Sequence, residues 1–389
     1  MESEASVCNP LELMLIDESA EPEGLSLSLL KSITNNFSDD LQIGSGGFAV
    51  VYKGNLENGT VAVKKLTLTQ EVHETKFCQE VDSLMRVKHK NIVRFMGYCS
   101  DTQGKVWKLQ GKNIMAEERQ RFLCFEFLPQ GSLDKYISDA AHGLEWIKRY
   151  NIIKGICEGL HYLHQHKIVH CDLKPANVLL DHYMEPKITD FGLSRCFDEK
   201  KTQAKTLNVV GSMGYMAPEY ISGVITLKSD IYSLGIIIIE ILTGQKGYPQ
   251  IENVLESWRT VSLGDPWLES VRVCTEIGIE CQEYNPDDRP NTQRIIERLA
   301  EMENKFGAMK TDLFTSPPIN VSTDGTYILI PCVHAPFSHL LLPLCHFRVF
   351  WNRYANILKM INGYVYSNIK NLFIKFLDQS FCFLSALFF

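Results

Sequence analysis

The spacing of hydrophobic positions predicts a strand-rich part up to residue 128 and a mainly helical part after it. Strands alternate apolar and polar residues, whereas amphipathic helices repeat an apolar residue every three or four positions. The turn residues at 129–131 mark the boundary between the two parts. The predicted strands are 61–64, 93–98 and 122–128, and the predicted helices are 25–37, 74–87 and 150–164.

Two further stretches are interpreted from their composition. The polar segment 100–121 separates two predicted strands, and we expect it to be a variable surface loop. The run 236–242 is almost entirely apolar, but it is far shorter than the roughly 20 residues that a membrane-spanning helix needs. It is therefore predicted to be a core helix.

Composition indicates a globular protein with a full hydrophobic core. The chain has 389 residues, of which 45% are hydrophobic and 22% charged, and this excludes disorder throughout. A net charge of −7 argues against a general nucleic-acid binder, because a phosphate backbone is met with clustered lysine and arginine. The 12 cysteines include no CxxC pair, so they are interpreted as reduced cytosolic thiols.

The two ends of the chain differ from the middle. Residues 1–24 are acidic and lack the basic start and apolar run of a signal peptide, so we expect a flexible acidic arm. After Asn304 glutamate is absent, large apolar residues become frequent and the helical rhythm fades. Residues 305–389 are expected to be either a membrane-associating tail or an extension without a native fold, from a misread exon boundary or a divergent disordered segment.

Two motifs carry the candidate chemistry. The sequence from His170 to Asn177, HCDLKPAN, is followed by Asp190-Phe191-Gly192. It holds an aspartate to orient a hydroxyl, a lysine beside it, and two oxygen ligands for Mg²⁺, which are the groups that phosphoryl transfer needs. Upstream, a glycine turn lies between two β-rich runs, where a dinucleotide-binding motif would place a helix. Together the motifs resemble the catalytic core of a protein kinase.

The resemblance implies a role for each residue of the catalytic motif. Asp172 would act as the base or orient the substrate hydroxyl, and Lys174 would neutralise charge on the transferred phosphoryl group. Asn177 and Asp190 would ligate Mg²⁺, a metal that takes few protein oxygens and keeps several waters. The implied cofactors are therefore ATP and Mg²⁺.

The resemblance places ATP between the glycine turn and the segment that joins the two parts. Lys64 would reach the α- and β-phosphates, and Glu80 in the following helix would hold it in position. The remaining residues implied in nucleotide binding are Ile43, Gly44, Ser45, Gly46, Gly47, Phe48, Val51, Ala62, Glu126 and Leu128.

Four other residues would support the site. Ser212 stands where serine/threonine kinases have a threonine, and its hydroxyl could reach the catalytic aspartate and lysine. Asp230 would anchor the catalytic loop from the next helix, and Arg289 would pair with Glu219. The sequence around Ser212 differs from that of tyrosine kinases, so serine or threonine is the expected acceptor.

Two positions depart from the family pattern. Ala49 replaces the third glycine of the turn, and Cys171 replaces the arginine before the catalytic aspartate. Cysteine cannot form a charge-assisted contact with a phosphorylated loop, so we expect activity to depend little on phosphate at Thr202 or Thr206. A pseudokinase scaffold, which binds nucleotide or partners without efficient transfer, is the alternative that these departures keep open.

The resemblance implies an α+β, bilobal fold. A helical lead-in at 25–40 would precede a kinase domain at 41–304. Its N-lobe, 41–128, would hold a five-stranded antiparallel sheet and one helix, and its C-lobe, 129–304, would be mainly helical.

Residues 32–38, SITNNFS, are similar to the entry to kinase domains of the plant receptor-like kinase group. That group includes receptor-like cytoplasmic kinases and the cysteine-rich receptor kinase branch. The expected reaction is transfer of the γ-phosphoryl group of ATP to serine or threonine of a protein substrate. An upstream receptor or co-kinase is the expected partner, with no nucleic acid. The expected location is cytoplasmic, peripheral to or anchored at the plasma membrane if the tail contacts it.

Overall fold

The computed structural model describes residues 9–47, 49–67, 72–109, 112–197, 202–261 and 265–315. Its helices are α1 (Pro10–Ile16), α2 (Leu27–Ile33), α3 (Val72–Met85), α4 (Trp146–Gln165), α5 (Pro218–Ile221), α6 (Leu227–Thr243), α7 (Ile251–Thr260), α8 (Asp265–Cys281) and α9 (Thr292–Thr315). Its strands are β1 (Glu23–Gly24), β2 (Gln42–Ser45), β3 (Ala49–Leu56), β4 (Gly59–Leu66), β5 (Phe95–Leu109), β6 (Lys112–Glu126), β7 (Gly131–Ser132), β8 (Ile168–Val169), β9 (Val178–Leu180), β10 (Pro186–Ile188), β11 (Arg195–Cys196), β12 (Gln203–Lys205) and β13 (Val224–Thr226).

The main sheet confirms the α+β fold but has one strand more than expected. Among the described residues its order is β1-β5-β6-β4-β3-β2, and the strands from β2 to β6 pair antiparallel. The sixth strand, β1, runs parallel to β5, with Glu23 opposite Gly97. Gly97 has a φ of 153°, and a side chain there would collide with the Glu23 carbonyl. The five antiparallel strands expected within 41–128 are therefore confirmed, and β1 adds a parallel strand from outside that range.

Residues 9–24 belong to the fold, contrary to the expectation of a flexible arm. The Asn9 side chain caps α1, and Pro10 opens its first turn. Leu11 and Met14 lie on one face of α1 and are 0% and 3% exposed. They join an apolar cluster on the outer face of the sheet, which also contains α2. Arg94 donates hydrogen bonds to two carbonyls at the end of α1, at 2.6 and 2.8 Å. Residues 1–8 lie outside the described residues.

The segment 100–121 forms a long β-hairpin instead of the expected loop. Strands β5 and β6 pair without interruption from Ser100 opposite Arg121 to Leu109 opposite Lys112. Strand β4 accompanies β6 only as far as Phe122. Apart from Arg121 at its base, the hairpin beyond that point is mostly exposed on both faces, so neither face selects apolar residues. This is why the segment is polar and shows no strand periodicity.

The predicted helices are present with small differences in their ends. Helix α2 ends before Asn35, Asn36 and Phe37, which have φ values of 47°, 56° and 58°. Helix α9 continues to Thr315, so the predicted domain end at Asn304 falls inside a helix. No helix of the described residues is both long and apolar enough to cross a membrane. The expectations for 316–389 concern residues outside those described.

Candidate active site

The catalytic loop follows β8 and is held in place from α6. The Asp230 carboxylate accepts hydrogen bonds from the backbone amides of His170 and Cys171, at 2.8 and 2.9 Å. The His164 ring lies 3.1 Å from the same carboxylate, and Asp230 is buried. These contacts hold Cys171 at a φ of 67°, a conformation that persists only where the surroundings impose it. Asp230 thus makes the loop contacts expected of an anchor.

Three side chains lie around Asp172. Its Oδ2 accepts hydrogen bonds from Lys174 Nζ at 2.9 Å and from Asn177 Nδ2 at 3.1 Å. Lys174 Nζ also donates to Ser212 Oγ at 2.7 Å. Asp172 Oδ1 is buried and has no hydrogen-bond partner within the described residues. The carboxylate is therefore held through one oxygen and can accept a further hydrogen bond through the other.

Lys64 connects β4 to α3 and to the segment after β10. Its Nζ donates to Glu80 Oε1 and to Asp190 Oδ1, both at 2.8 Å. Burial acts to lower the pKa of Lys64, but the charges of Glu80 and Asp190 outweigh this effect and raise the pKa above its usual value. The Lys64 charge in turn lowers the pKa of Asp190 to about 2, against the opposing effect of burial. Lys64 and Asp190 are therefore both ionised at neutral pH.

The Asp190-Phe191-Gly192 segment is tied to the catalytic loop. The rings of His170 and Phe191 meet edge to face, with centroids 5.3 Å apart. The Thr189 amide donates to the Asn177 carbonyl at 2.9 Å, and His170 Nε2 lies 2.9 Å from the Thr189 carbonyl. Asp190 thus directly follows the residue that is bonded to Asn177. The two predicted metal ligands belong to one hydrogen-bonded region.

The glycine turn connects β2 to β3. Gly44 and Ser45 belong to β2 and pair with β3, and the Gly46 amide donates to the Ala49 carbonyl across the turn at 2.9 Å. A side chain at Gly46 or Gly47 would meet nothing within 4 Å. The turn therefore leaves open space beside its backbone. Phe48, the other candidate here, lies outside the described residues.

The remaining nucleotide candidates lie on the sheet near the boundary at 129–131. Val51 pairs with Lys64 across β3 and β4, and Ala62 pairs with β6 on the other side. Leu128 is buried in the main core, whereas Ile43 is about half exposed. The structure therefore places Ile43, Val51 and Ala62 on strands of one sheet, and Leu128 two residues after β6 of that sheet.

Glu126 makes a contact that the sequence did not suggest. Its Oε1 accepts hydrogen bonds from Lys187 Nζ at 2.9 Å and from the Arg94 amide at 2.7 Å. Lys187 lies on β10, in the mainly helical part. The sequence does not signal this pair, because no motif specifies Lys187 as the partner of Glu126, and the two residues are 61 positions apart. The pair links the end of β6 to the second part of the fold.

Arg289 and Glu219 form a buried ion pair, as the sequence analysis expected. Both guanidinium nitrogens Nη1 and Nη2 donate to the Glu219 carboxylate at 2.8 Å. The Arg289 side chain is fully buried, with further hydrogen bonds to the carbonyls of Glu283, Tyr284 and Lys228. All of its contacts are structural, because they hold α5 against the start of α6 and the loop before α9.

Cys171 lies in an apolar cluster with residues from the segment 190–219 and from the strand and helix that follow it. The cluster contains Phe197 and Tyr220, and burial raises the pKa of the Cys171 thiol well above its usual value. The Tyr220 hydroxyl donates to the Val210 carbonyl at 2.6 Å, and β12 of this segment pairs with β13. Apolar packing and backbone pairing therefore hold the described parts of this segment.

The fold and the arrangement around Asp172 and Lys64 define a protein kinase domain. The protein kinase domain family matches residues 37–299, and the chain belongs to that family. Enzymes of this family use ATP and Mg²⁺.

The relatives confirm the resemblance to plant receptor-like kinases. The chain is 38% identical over 302 residues to a G-type lectin S-receptor-like serine/threonine-protein kinase of Arabidopsis thaliana, with 71% of this chain and 35% of the relative covered. It is 39% identical over 311 residues to cysteine-rich receptor-like protein kinase 7 of the same plant, with 73% and 45% covered. The chain thus spans less than half the length of these relatives.

Proposed function

We propose that this chain transfers the γ-phosphoryl group of ATP to serine or threonine hydroxyls of a protein substrate. One observation carries the proposal: Asp172 Oδ1 is buried without a partner within the described residues, while Oδ2 is fixed by Lys174 and Asn177. A buried acceptor without a hydrogen bond is costly and needs an explanation. A substrate hydroxyl that donates to Oδ1 would satisfy it and would be oriented for attack.

Lys174 and Ser212 extend this arrangement toward the transferred group. Lys174 Nζ lies within hydrogen-bond distance of both Asp172 and Ser212, so its charge is held beside the attacking hydroxyl. There it would balance negative charge that develops in the transition state. Because Ser212 bonds Lys174 directly, it would orient the ammonium group without touching ATP.

The nucleotide would lie along the glycine turn and Lys64. The open space beside Gly46 and Gly47 allows backbone amides to approach phosphate oxygens. Lys64, held by Glu80, would contact the α- and β-phosphates. Ile43, Gly44, Ser45, Val51 and Ala62 would enclose the nucleotide, with Glu126 and Leu128 facing the adenine.

Asn177 and Asp190 fit a magnesium ion. The Asn177 amide nitrogen donates to Asp172, which leaves its amide oxygen for another partner. Asp190 is ionised, and its side chain is 45% exposed although Oδ1 accepts from Lys64. An oxygen pair of this kind is what Mg²⁺ takes from a protein when phosphates and water supply the other ligands. Asn177 and Asp190 would hold the ion, which would supply positive charge to neutralise the phosphate groups.

The partners and the location are part of the same proposal. The relatives are named receptor-like kinases, which supports an upstream receptor or co-kinase for this chain. A cytoplasmic location, with contact to the plasma membrane through 305–389, agrees with the composition of that segment. Membrane fractionation of the full chain, with high-salt and detergent washes, would separate an anchored protein from a soluble one.

The experiment is a transfer assay with γ-labelled ATP, Mg²⁺ and a generic protein substrate. Wild type should label serine or threonine, and a Lys64→Met control prepared in parallel should reduce the label to background, which excludes a contaminating kinase. No label above this control, with nucleotide still bound, would favour the pseudokinase scaffold. Label on tyrosine would contradict the acceptor class.

A further inference from the structure

Arg121 joins the exposed hairpin to helix α3. It lies on β6 where the hairpin leaves the sheet, and its side chain is 4% exposed. Nε and Nη2 donate to the Glu74 carboxylate at 3.0 to 3.1 Å. Nη1 donates to the carbonyls of Asp101 and Gln120 at 2.7 and 3.0 Å. The hairpin backbone thus fixes the guanidinium, which presents a two-pronged contact to one carboxylate of α3.

The residues of α3 that meet Arg121 lie within two turns of Glu80. Glu74, Phe77 and Glu80 occupy every third position, so Phe77 is a helix neighbour of both glutamates, which lie about 120° apart around the helix. Phe77 is buried, and the Arg121 guanidinium lies 5.8 Å from its ring centroid. Fixing Glu74 and Phe77 therefore also fixes the direction in which Glu80 points toward Lys64.

The other polar contacts of α3 lie at its C-terminal half. Ser83 Oγ lies 3.4 Å from Cys196 Sγ and 3.3 Å from Ser194 Oγ, and both partners follow the Asp190-Phe191-Gly192 segment. From Glu74 to Gln79, the polar side-chain contacts that the structure describes with other elements are those of Arg121. Among the described side chains, the N-terminal half of α3 is therefore held by these polar contacts with the hairpin and by the packing of Phe77 in the main core.

The pair differs from an ordinary surface ion pair, which contributes little. Its cation is almost fully buried, so loss of Glu74 would leave an unpaired buried charge. We propose that Arg121 is a positioning residue for phosphoryl transfer: through Glu74 it holds α3 in the orientation in which Glu80 meets Lys64. This inference rests on the proposed kinase activity, and it extends that activity by making the hairpin part of what sets the active arrangement.

Two substitutions test the pathway through Glu80. Arg121→Gln and Glu74→Gln each remove the ion pair between the guanidinium and the carboxylate. The first changes its buried partner and the second its partly exposed partner. Each should lower kcat/KM about tenfold, but less than about twofold when Glu80→Gln is already present, because both changes break the same series of contacts. An equal loss with and without Glu80→Gln would overturn the proposal, since it would report a general loss of folded protein.

Arg119→Gln is the matched control. Arg119 lies on the same hairpin strand and pairs with Glu117 of that strand, so its change should leave kcat/KM within about twofold of wild type. A loss as large as that of Arg121→Gln would contradict a specific role for the contact with α3.

Hydrogen exchange separates this inference from the proposed activity. Arg121→Gln and Glu74→Gln should speed amide exchange over α3 while exchange over α4 stays unchanged, whether or not the chain transfers phosphate. Unchanged exchange over α3 in both variants would overturn the positioning role. Absence of transfer by wild type, with the exchange effect present, would overturn only the proposed activity.

Discussion

Replacing Leu11 by alanine should destabilise the fold although residue 11 lies far from Asp172 in sequence and outside the predicted kinase domain. Leu11 is 0% exposed and packs in the apolar cluster with α2 and the outer face of the sheet. Removing a fully buried leucine side chain costs about 3 kcal/mol, because transfer energy is lost and a cavity remains. For a folded unit of this size that cost lowers Tm by about 5 °C.

Leu13 supplies the control within the same helix. It is 49% exposed, so Leu13→Ala should change stability by less than about 1 kcal/mol while altering helix propensity in the same way as Leu11→Ala. Thermal unfolding of wild type and both variants, at one scan rate, compares the two costs directly. Equal and small shifts for both would refute the conclusion that residues 9–24 are packed on the sheet.

Two further predictions concern the active site. Activity of the double variant Thr202→Ala/Thr206→Ala should stay within about threefold of wild type, because apolar packing of Cys171 holds the segment without a phosphate; a loss of about a hundredfold in the transfer rate would contradict this. The pKa of Asp190, lowered to about 2 beside Lys64, makes its carboxylate stabilising above about pH 4 and progressively less so as the pH falls toward 2. Urea unfolding should therefore show a free-energy difference between wild type and Asp190→Asn that is constant from pH 7 to about 4 and shrinks below it; a difference that grows as the pH falls would show the opposite linkage.

The sequence predicted best those residues whose role and partner the kinase resemblance specifies. The contacts of Lys64 with Glu80 and of Arg289 with Glu219 join residues far apart in the chain, and both were predicted because the kinase resemblance specifies the partners. The contacts of Ser212 with Lys174 and of Asp230 with the catalytic loop were predicted from the same resemblance. Local pattern alone would not have paired any of these residues.

The wrong expectations concern two segments whose composition does not indicate their secondary structure. The acidic character of residues 1–24 suggested an arm, yet Asn9 followed by Pro10 is a helix start, and Leu11 and Met14 have the spacing of a buried face. That signal is present in the sequence. The hairpin at 100–121 offered no such signal, because a ribbon exposed on both faces has no apolar side.

The contact between Arg121 and Glu74 could not be predicted from the sequence either. Neither residue belongs to a motif, and the pair exists only because the hairpin brings its base alongside α3. Such contacts depend on tertiary geometry, which the periodicity of hydrophobic residues does not indicate.

Phosphoryl transfer by Asp172→Asn, measured beside nucleotide binding, tests the central claim most directly. Asparagine keeps the shape of the side chain and can still accept from Lys174, but it cannot take a proton from the substrate hydroxyl. The variant should bind ATP–Mg²⁺ with an affinity within about threefold of wild type and lose at least about a hundredfold in transfer rate. Transfer at the wild-type rate by Asp172→Asn, with contaminating kinase excluded by Lys64→Met, would contradict the assignment of Asp172 and with it the mechanism.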